Sequence, residues 1–510
     1  TTLHAMPYRT AWHSVTSSAH PDAPSAALDE VVTRLQLETQ MRRPQRSDDQ
    51  TTINFCIMAV GAPFQGALES LSKAAYDRLG EPATFLAVVG AGVIGGGVES
   101  EFSPSIALLA GALPPGSLST PFIFGRRRDL VSIYSEDAWR QTERLFRALQ
   151  DEPHRPSFLV FGDPFAPVSD ATKFIDECEP GAVVVGGVTS PTTSGVSSIA
   201  INGEKPLPAG SVAGVALRGP RLRIHTVTAQ GAVGVGPVFN VTSGRLNLVA
   251  TLDERPALQQ LQRVALDAVK RQPRLAKLIK ANAGLLVGLS TPVPAATRFS
   301  AQEITTRRRD GDDDPEDDDT EEEYGGFVIR TVVGATADGA IAVGDNAVLP
   351  GRTKLRVHVR DGMAAKAHLD ACIERYSLER SFAGMTDATP QAIFVVSCSG
   401  RGAKMYGMRN YEVDYLSHLI DAPAGEQRPR IPVGGLFANG ELGPIGARLP
   451  RVVAKRPRLD GEGERDVLDT AGPTHLHGLT SVVAFLYDLG PEAAPAQSSN
   501  GEKKRRKRSP

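Results

Sequence analysis

Cysteine is scarce: Cys56, Cys178, Cys372 and Cys398 are the only four in 510 residues, and no two form a C-x-x-C pair. A disulfide scaffold or a closed zinc site needs more thiols at tighter spacing, so neither is expected, and a reducing intracellular compartment is. Long hydrophobic runs are missing as well. The longest, Thr84 to Val98, carries five glycines and falls short of the roughly twenty apolar residues of a membrane-spanning helix. Thr1 to His20 has no apolar segment of the signal-peptide kind, and the chain opens without methionine, as processing or truncation would leave it. Net charge is nearly absent, at −2. That small sum hides two polarised segments: Arg307 to Glu323 holds eleven acids and three arginines, while Glu502 to Arg508 holds six bases and one acid. The remainder balances at 47 bases against 46 acids, so no basic face and no specific nucleic-acid partner are implied.

What is present is globular. At 41% hydrophobic and 22% charged residues the bulk of the chain can bury a core, and its length suits two or three domains. The first half has an α/β rhythm. Leu28, Val31, Val32 and Leu35 mark one face of a helix at Ser25 to Arg43; Thr52 to Val60, Ala83 to Val89, Ser105 to Leu113 and Ser157 to Phe161 read as strands; Gln65 to Leu79 and Glu136 to Gln150 read as helices. Between Ala182 and Thr228 four short β-rich runs separated by turn residues predict consecutive antiparallel strands. A helix at Pro256 to Lys270 precedes the acidic block, which cannot bury enough apolar surface to offset its ordering entropy and reads as a linker or insertion. Beyond it, Asp338-Gly339 predicts a hairpin, Leu369, Ile373 and Tyr376 share a helix face, and Gln391 to Ser397 is a strand that runs into a small-residue turn ending at Gly402.

Three motifs bear on chemistry. Gly90-Ala91-Gly92-Val93-Ile94-Gly95 matches G-x-G-x-x-G after a strand, but Gly96, Gly97 and Pro104 follow where a dinucleotide site needs a helix, and no acid occurs in Gly111 to Ser119. It is read instead as a turn that lines a pocket or packs between sheets. Cys398, at a strand end beside Arg401, is a candidate thiol of lowered pKa, although an ordinary buried cysteine is the preferred reading. Glu441 and His477 would complete a thiol, imidazole and carboxylate set if the fold gathers them. His475 and His477 share a strand face, yet no third ligand stands near, so a backbone-bonded histidine is preferred to a metal site.

These segments together resemble the FIST family. The amino-terminal half is similar in Gly90 to Glu101, Gly162-Asp163-Pro164-Phe165, Pro180 to Gly187, Ala229-Gln230-Gly231 and Val241-Thr242. The carboxy-terminal half is similar in Phe327 to Arg330, Gly339 to Asp345, Arg360-Asp361, Ser397 to Gly402, Tyr406-Gly407, Gly434 to Pro444 and His477 to Thr480. The chain departs from the family at Ala91 and Ala232, where cysteines are expected, at Leu479 for an aromatic, at Gly362 for alanine, and in the acidic block.

The resemblance implies an α/β, mixed α+β fold in two lobes of mixed, largely antiparallel sheets covered by helices. It divides the chain into a FIST N-like domain at 1–255, a helical connection at 256–302, an acidic linker at 303–325, a FIST C-like domain at 326–490 and a basic tail at 491–510. It also implies a sensory or regulatory pair that binds a small molecule, such as an amino acid or another carboxylate, without a cofactor and without a metal. The ligand-binding candidates are Gly90, Gly92, Gly186, Gly187, Gln230, Gly231, Cys398, Arg401, Gly402, Asn439, Gly440, Glu441, His477 and Thr480. Second is a protein-interaction module, such as the substrate-recognition part of an F-box ubiquitin ligase, and third a hydrolase or transferase using Cys398, His477 and Glu441. The basic tail points to the nucleus, while the stand-alone members of the family allow cytoplasm or plastid.

Overall fold

A computed structural model describes residues 12–41, 53–124, 155–179, 181–191, 196–281, 285–290, 327–344, 348–382, 385, 388–419, 430–445, 452–457, 464–469 and 474–490. The expected helix at 136–150, the acidic block and the basic tail lie outside them.

The strands fall into four larger sheets. The first contains β1 (Trp12–Ser17), β2 (Phe55–Gly61), β3 (Thr84–Gly90), β6 (Ile106–Gly111) and β10 (Ile199–Ile201), in the order β1-β6-β2-β3-β10. The second contains β7 (Leu118–Ile123), β8 (Ser157–Gly162), β9 (Val183–Val188), β11 (Val212–Arg218), β22 (Glu441–Gly443) and β25 (His475–His477), in the order β25-β22-β9-β8-β11-β7. In the third, β4 (Gly92–Gly95), β5 (Val98–Glu101), β12 (Leu222–Gln230), β20 (Ala392–Cys398), β21 (Val433–Ala438) and β26 (Thr480–Asp488) follow the order β12-β26-β20-β21-β4-β5. The fourth joins β13 (Ala232–Arg245), β14 (Leu248–Leu252), β15 (Arg255–Pro256), β16 (Leu286–Ser290), β17 (Val328–Ala335), β18 (Ile341–Val343) and β19 (Lys354–Arg360), in the order β13-β19-β16-β17-β18-β14-β15. A ribbon of β23 (Val452–Pro457) and β24 (Glu464–Asp469) stands apart.

Helices cover these sheets: α1 (Pro24–Met41), α2 (Leu68–Arg78), α3 (Val168–Cys178), α4 (Ala257–Arg271), α5 (Arg274–Ala281), α6 (Gly362–Phe382), α7 (Ala403–Tyr406) and α8 (Tyr411–Ser417). In α4 the buried residues Ala257, Gln260, Leu261, Val264 and Ala268 recur at three- and four-residue spacing, which gives the helix one inward stripe. Three strand pairs are parallel, β2 with β3, β8 with β9 and β20 with β21, and the other named pairs are antiparallel. The parallel strands FCIMAVG, TFLAVVG and AIFVVSC are continuous apolar runs, as strands covered on both faces must be. The fold is thus mixed α+β, as the sequence implies.

Sheets two, three and four each draw strands from both halves of the chain. The largest core cluster follows the same plan: Phe55 and Leu109, Leu159 and Phe161, and Phe394 and Val482 belong to one packed body, with Phe161 edge-on to Phe394 at 6.2 Å.

One expectation fails. The β-rich runs between 182 and 228 form strands, but not a meander: β9 lies parallel to β8, β10 pairs with β3, β11 inserts between β8 and β7, and β12 pairs with β26. Strands β9 and β11 are buried along almost their whole length, so they take interior places in sheets assembled from distant segments.

Candidate functional site

The three parallel pairs end together. Cys398 lies opposite Ala438, Gly162 opposite Val188 and Gly61 opposite Gly90 at their carboxyl ends. Backbone bonds stitch these ends to one another: Ala91 N–H donates to Phe437 O at 2.8 Å, Asn439 N–H to Val188 O at 2.9 Å, and Ser190 N–H to Val89 O at 3.0 Å. The carboxyl edge of parallel strands is where open α/β sheets form ligand crevices. Strand β12 ends at the same edge with Gln230 opposite Thr480, the first residue of β26.

The candidate glycines make this convergence possible. A Cβ at Gly186 would strike the Val160 carbonyl, one at Gly187 would meet Gly440 O at 2.5 Å, and one at Gly90 would meet the carbonyls of Gly92 and Phe437 at 2.8 Å. Gly92 abuts the Ser100 carbonyl, and Gly231 has room for no Cβ against Leu479 O at 2.6 Å. Gly402 takes φ 71, a conformation that favours glycine, and lies against the Glu101 carboxylate; Gly440 packs on Leu476. The glycine-rich segment at 90–95 runs from strand to strand with no helix, as its reading against a dinucleotide site requires.

Cys398, Glu441 and Thr480 do meet. Glu441 is fully buried, and its Oε2 accepts bonds from Thr480 N–H at 3.1 Å and from the Thr480 hydroxyl at 2.7 Å. Half-buried Cys398 lies beside this carboxyl and accepts a bond from Gly400 N–H at 3.5 Å. Burial pushes the Glu441 carboxyl well above the usual carboxylate range. Burial, and then the nearby Glu441, push the Cys398 thiol up as well, which speaks against the lowered-pKa reading and for the preferred one of an ordinary cysteine. A protonated thiol is a poor nucleophile.

His477 does not complete a triad. It pairs with Glu441 in the β22–β25 register, but its buried Nε2–H donates to Gly443 O at 3.0 Å, and no bond joins it to Cys398 or Glu441 among the described residues. Burial lowers its pKa to about 3, so the ring is neutral; Nδ1 has no hydrogen-bond partner. The backbone-bonded reading of this histidine therefore holds. Among the described residues no group of three His, Cys, Asp or Glu side chains could hold a metal.

Arg401 is turned inward. It is 0% exposed; Nε and Nη2 lie 2.8 and 2.7 Å from Glu412 Oε1, and Nη1 donates to the carbonyls of Ala229 and Leu479 at 3.2 and 3.3 Å. Nη2 also donates to the Tyr406 hydroxyl, which donates to Glu412 Oε1 at 2.6 Å, and Ser481 donates to Glu412 Oε2 at 3.0 Å. Burial, the largest single effect, raises the Glu412 carboxyl, but the Arg401 charge together with hydrogen bonds from Tyr406 and Arg401 outweighs it and holds the group below the usual range. A guanidinium so engaged anchors the 399–402 turn; the expectation that it meets a ligand carboxylate finds no free donor fork here.

Asn439 and Gln230 are the candidates with reachable polar groups. Exposed Asn439 accepts a bond from the Ser399 hydroxyl at 3.3 Å and donates to Thr189 O at 3.1 Å. Gln230 donates through its side chain to Phe327 O at 2.5 Å and through its backbone to His368 Nδ1 at 3.0 Å. Sequence reasoning missed Glu412, Ser481, His368 and Thr189. Glu412 and Ser481 could have been sought as buried partners of a core arginine, but nothing local marks them. Arg360 was quoted in a motif without a role; it lies beside Gly400, close enough for its charge to act on Cys398. The edge thus offers uncharged donors and acceptors with Arg360 at its side, and the carboxyl next to the thiol, Glu441, is itself pushed toward its neutral form by burial.

An uncharacterized protein of Mycobacterium tuberculosis is 25% identical over 417 residues, covering 81% of this chain and 86% of that protein. An uncharacterized protein of Mycobacterium bovis is 25% identical over 371 residues, covering 72% of this chain and 80% of its own. Residues 54–255 match the FIST N domain and residues 293–444 the FIST C domain. The chain therefore carries a FIST N domain followed by a FIST C domain, and the converged strand ends are built from both.

Proposed function

We propose that the protein is a sensory or regulatory protein that binds a small polar molecule at the edge where the three parallel strand pairs end. The observation that carries this reading is the juxtaposition of Asn439 and Ser399 at that edge with half-buried Cys398 and buried Glu441 beside them, whose ionisation burial disfavours. Uncharged hydrogen-bonding groups on a rigid strand edge suit recognition, whereas covalent chemistry would need an ionised base beside the thiol, and burial disfavours ionisation of Glu441. The ligand class is an amino acid or another small carboxylate, with Arg360 rather than Arg401 as its cationic partner; Arg401 keeps the turn in place.

Thermal melts with a panel of amino acids and small carboxylates test the proposal. At least one should raise the melting temperature, since a ligand at a hundred times its Kd adds about 2.7 kcal/mol to stability. Asn439→Ala should weaken that ligand at least tenfold. No shift across the panel, or a shift of undiminished affinity in Asn439→Ala, overturns it.

A further inference from the structure

A cavity of about 320 Å³ lies away from the strand ends, and none of the candidate residues lines it. One wall is a bulge in β13. Pairing with β19 slips between Val235 and Val238, which leaves Gly236 and Pro237 out of the ladder. Gly236 takes φ 70, its carbonyl accepts a bond from Arg356 Nε at 3.1 Å, and its missing Cβ leaves room for Val264. The other wall is α4 and the corner into α5. Val264, Ala268 and Leu275 are buried there as an apolar floor.

The charges around the cavity are unbalanced. Arg263 and Arg271, both exposed and both on the lining, stand eight residues apart on α4, about 12 Å along its axis. Neither forms an ion pair or hydrogen bond among the described residues. The one lining acid, Asp267, is 3.6 Å from Lys270. Beneath the bulge, the buried Arg356 guanidinium lies against Gly234. Arg274 on α5 is taken up by Asp361 at 2.9 Å.

We propose that this cavity is a second binding site, for a small organic anion: one carboxylate or phosphate head held by Arg263 and Arg271, with a compact apolar body on Val264, Ala268 and Leu275. Its volume lies at the lower end of the range for small-molecule sites, which limits the body to a short chain or a single ring. Planar guanidinium forks match both kinds of head group.

Titration calorimetry on the full chain with hexanoate, benzoate and phenyl phosphate tests this. At least one probe should bind, more weakly as salt is raised, and Arg263→Glu and Arg271→Glu should each lower its affinity at least tenfold. Lys277→Glu, an equal charge change on α5 outside the lining, should alter it less than twofold. Ala268→Leu, which fills the floor, should lower the affinity of the ring probes most. Absence of binding by all three probes at 10 mM, on the order of a weak metabolite site, overturns the proposal. So does equal weakening by Lys277→Glu and the two arginine variants, the mark of general charge attraction. Because Asn439 does not line this cavity, Asn439→Ala separates the outcome here from that at the strand edge.

Discussion

Glu99 on β5 is 6% exposed, and its Oε1 accepts a bond from Val413 N–H at 2.9 Å while Oε2 has no partner. It faces Glu412 and Glu101, and its own backbone N–H donates to Asn410 at 2.9 Å. Burial, and then Glu412, raise its pKa from 4.5 to about 7. A carboxyl that holds its proton more tightly when folded weakens the fold as it ionises. The cost is absent below the unfolded pKa, grows between pH 4.5 and 7, and is fully present above 7. Glu99→Gln keeps an acceptor for Val413 and removes that cost, up to about 3 kcal/mol. Melts should show the variant more stable than the parent at pH 8, with the difference shrinking toward zero at pH 4.5.

At the scale of strands, Gly435 in β21 lies opposite Val395 in the parallel pair with β20, and a Cβ there would strike the Val395 carbonyl. The obstacle is backbone inside a buried sheet, so it cannot swing aside. Gly435→Ala should cost more than about 3 kcal/mol in urea unfolding, whereas Gly334→Ala, with open space at its Cβ on exposed β17, should stay within about 0.5 kcal/mol of the parent. Its neighbour β20 was legible, because the continuous apolar run at Gln391 to Ser397 bounded by turn residues announces a covered strand; β21, whose glycines read as a turn, was not. The helix carrying Leu369, Ile373 and Tyr376 was legible from spacing, and all three are buried. Partner choice was not. Nothing in Leu222–Gln230 says that it pairs with Thr480–Asp488, since period-two alternation records a face and not a neighbour. The same limit governs the site. Cys398 and Glu441 meet because turn residues place each at a strand end, but the inward turn of Arg401 depends on Glu412, eleven residues on in α8, and His477 bonds to a backbone carbonyl that no motif foretells.

Across the whole molecule, the sheets join the halves more tightly than the sequence divides them. Sheet three takes β4, β5 and β12 from one side of residue 255 and β20, β21 and β26 from the other. A fragment ending at residue 255 would leave β4 and β12 with unpaired edges and open the core around Phe161 and Phe394. Expressed alone, that fragment should melt without a cooperative transition and elute as aggregates, and co-expression with residues 256–510 should restore one sharp transition. A cooperative melt from the isolated fragment would show that the halves fold independently. Interleaving also sets a schedule on the ribosome. Strand β21 leaves the peptidyl-transferase centre about 340 residues after its neighbour β4, roughly 20–70 s at ordinary elongation rates. For that interval the nascent chain displays an unmatched glycine-rich strand, so its yield in cells should depend on chaperones that hold such edges until translation ends.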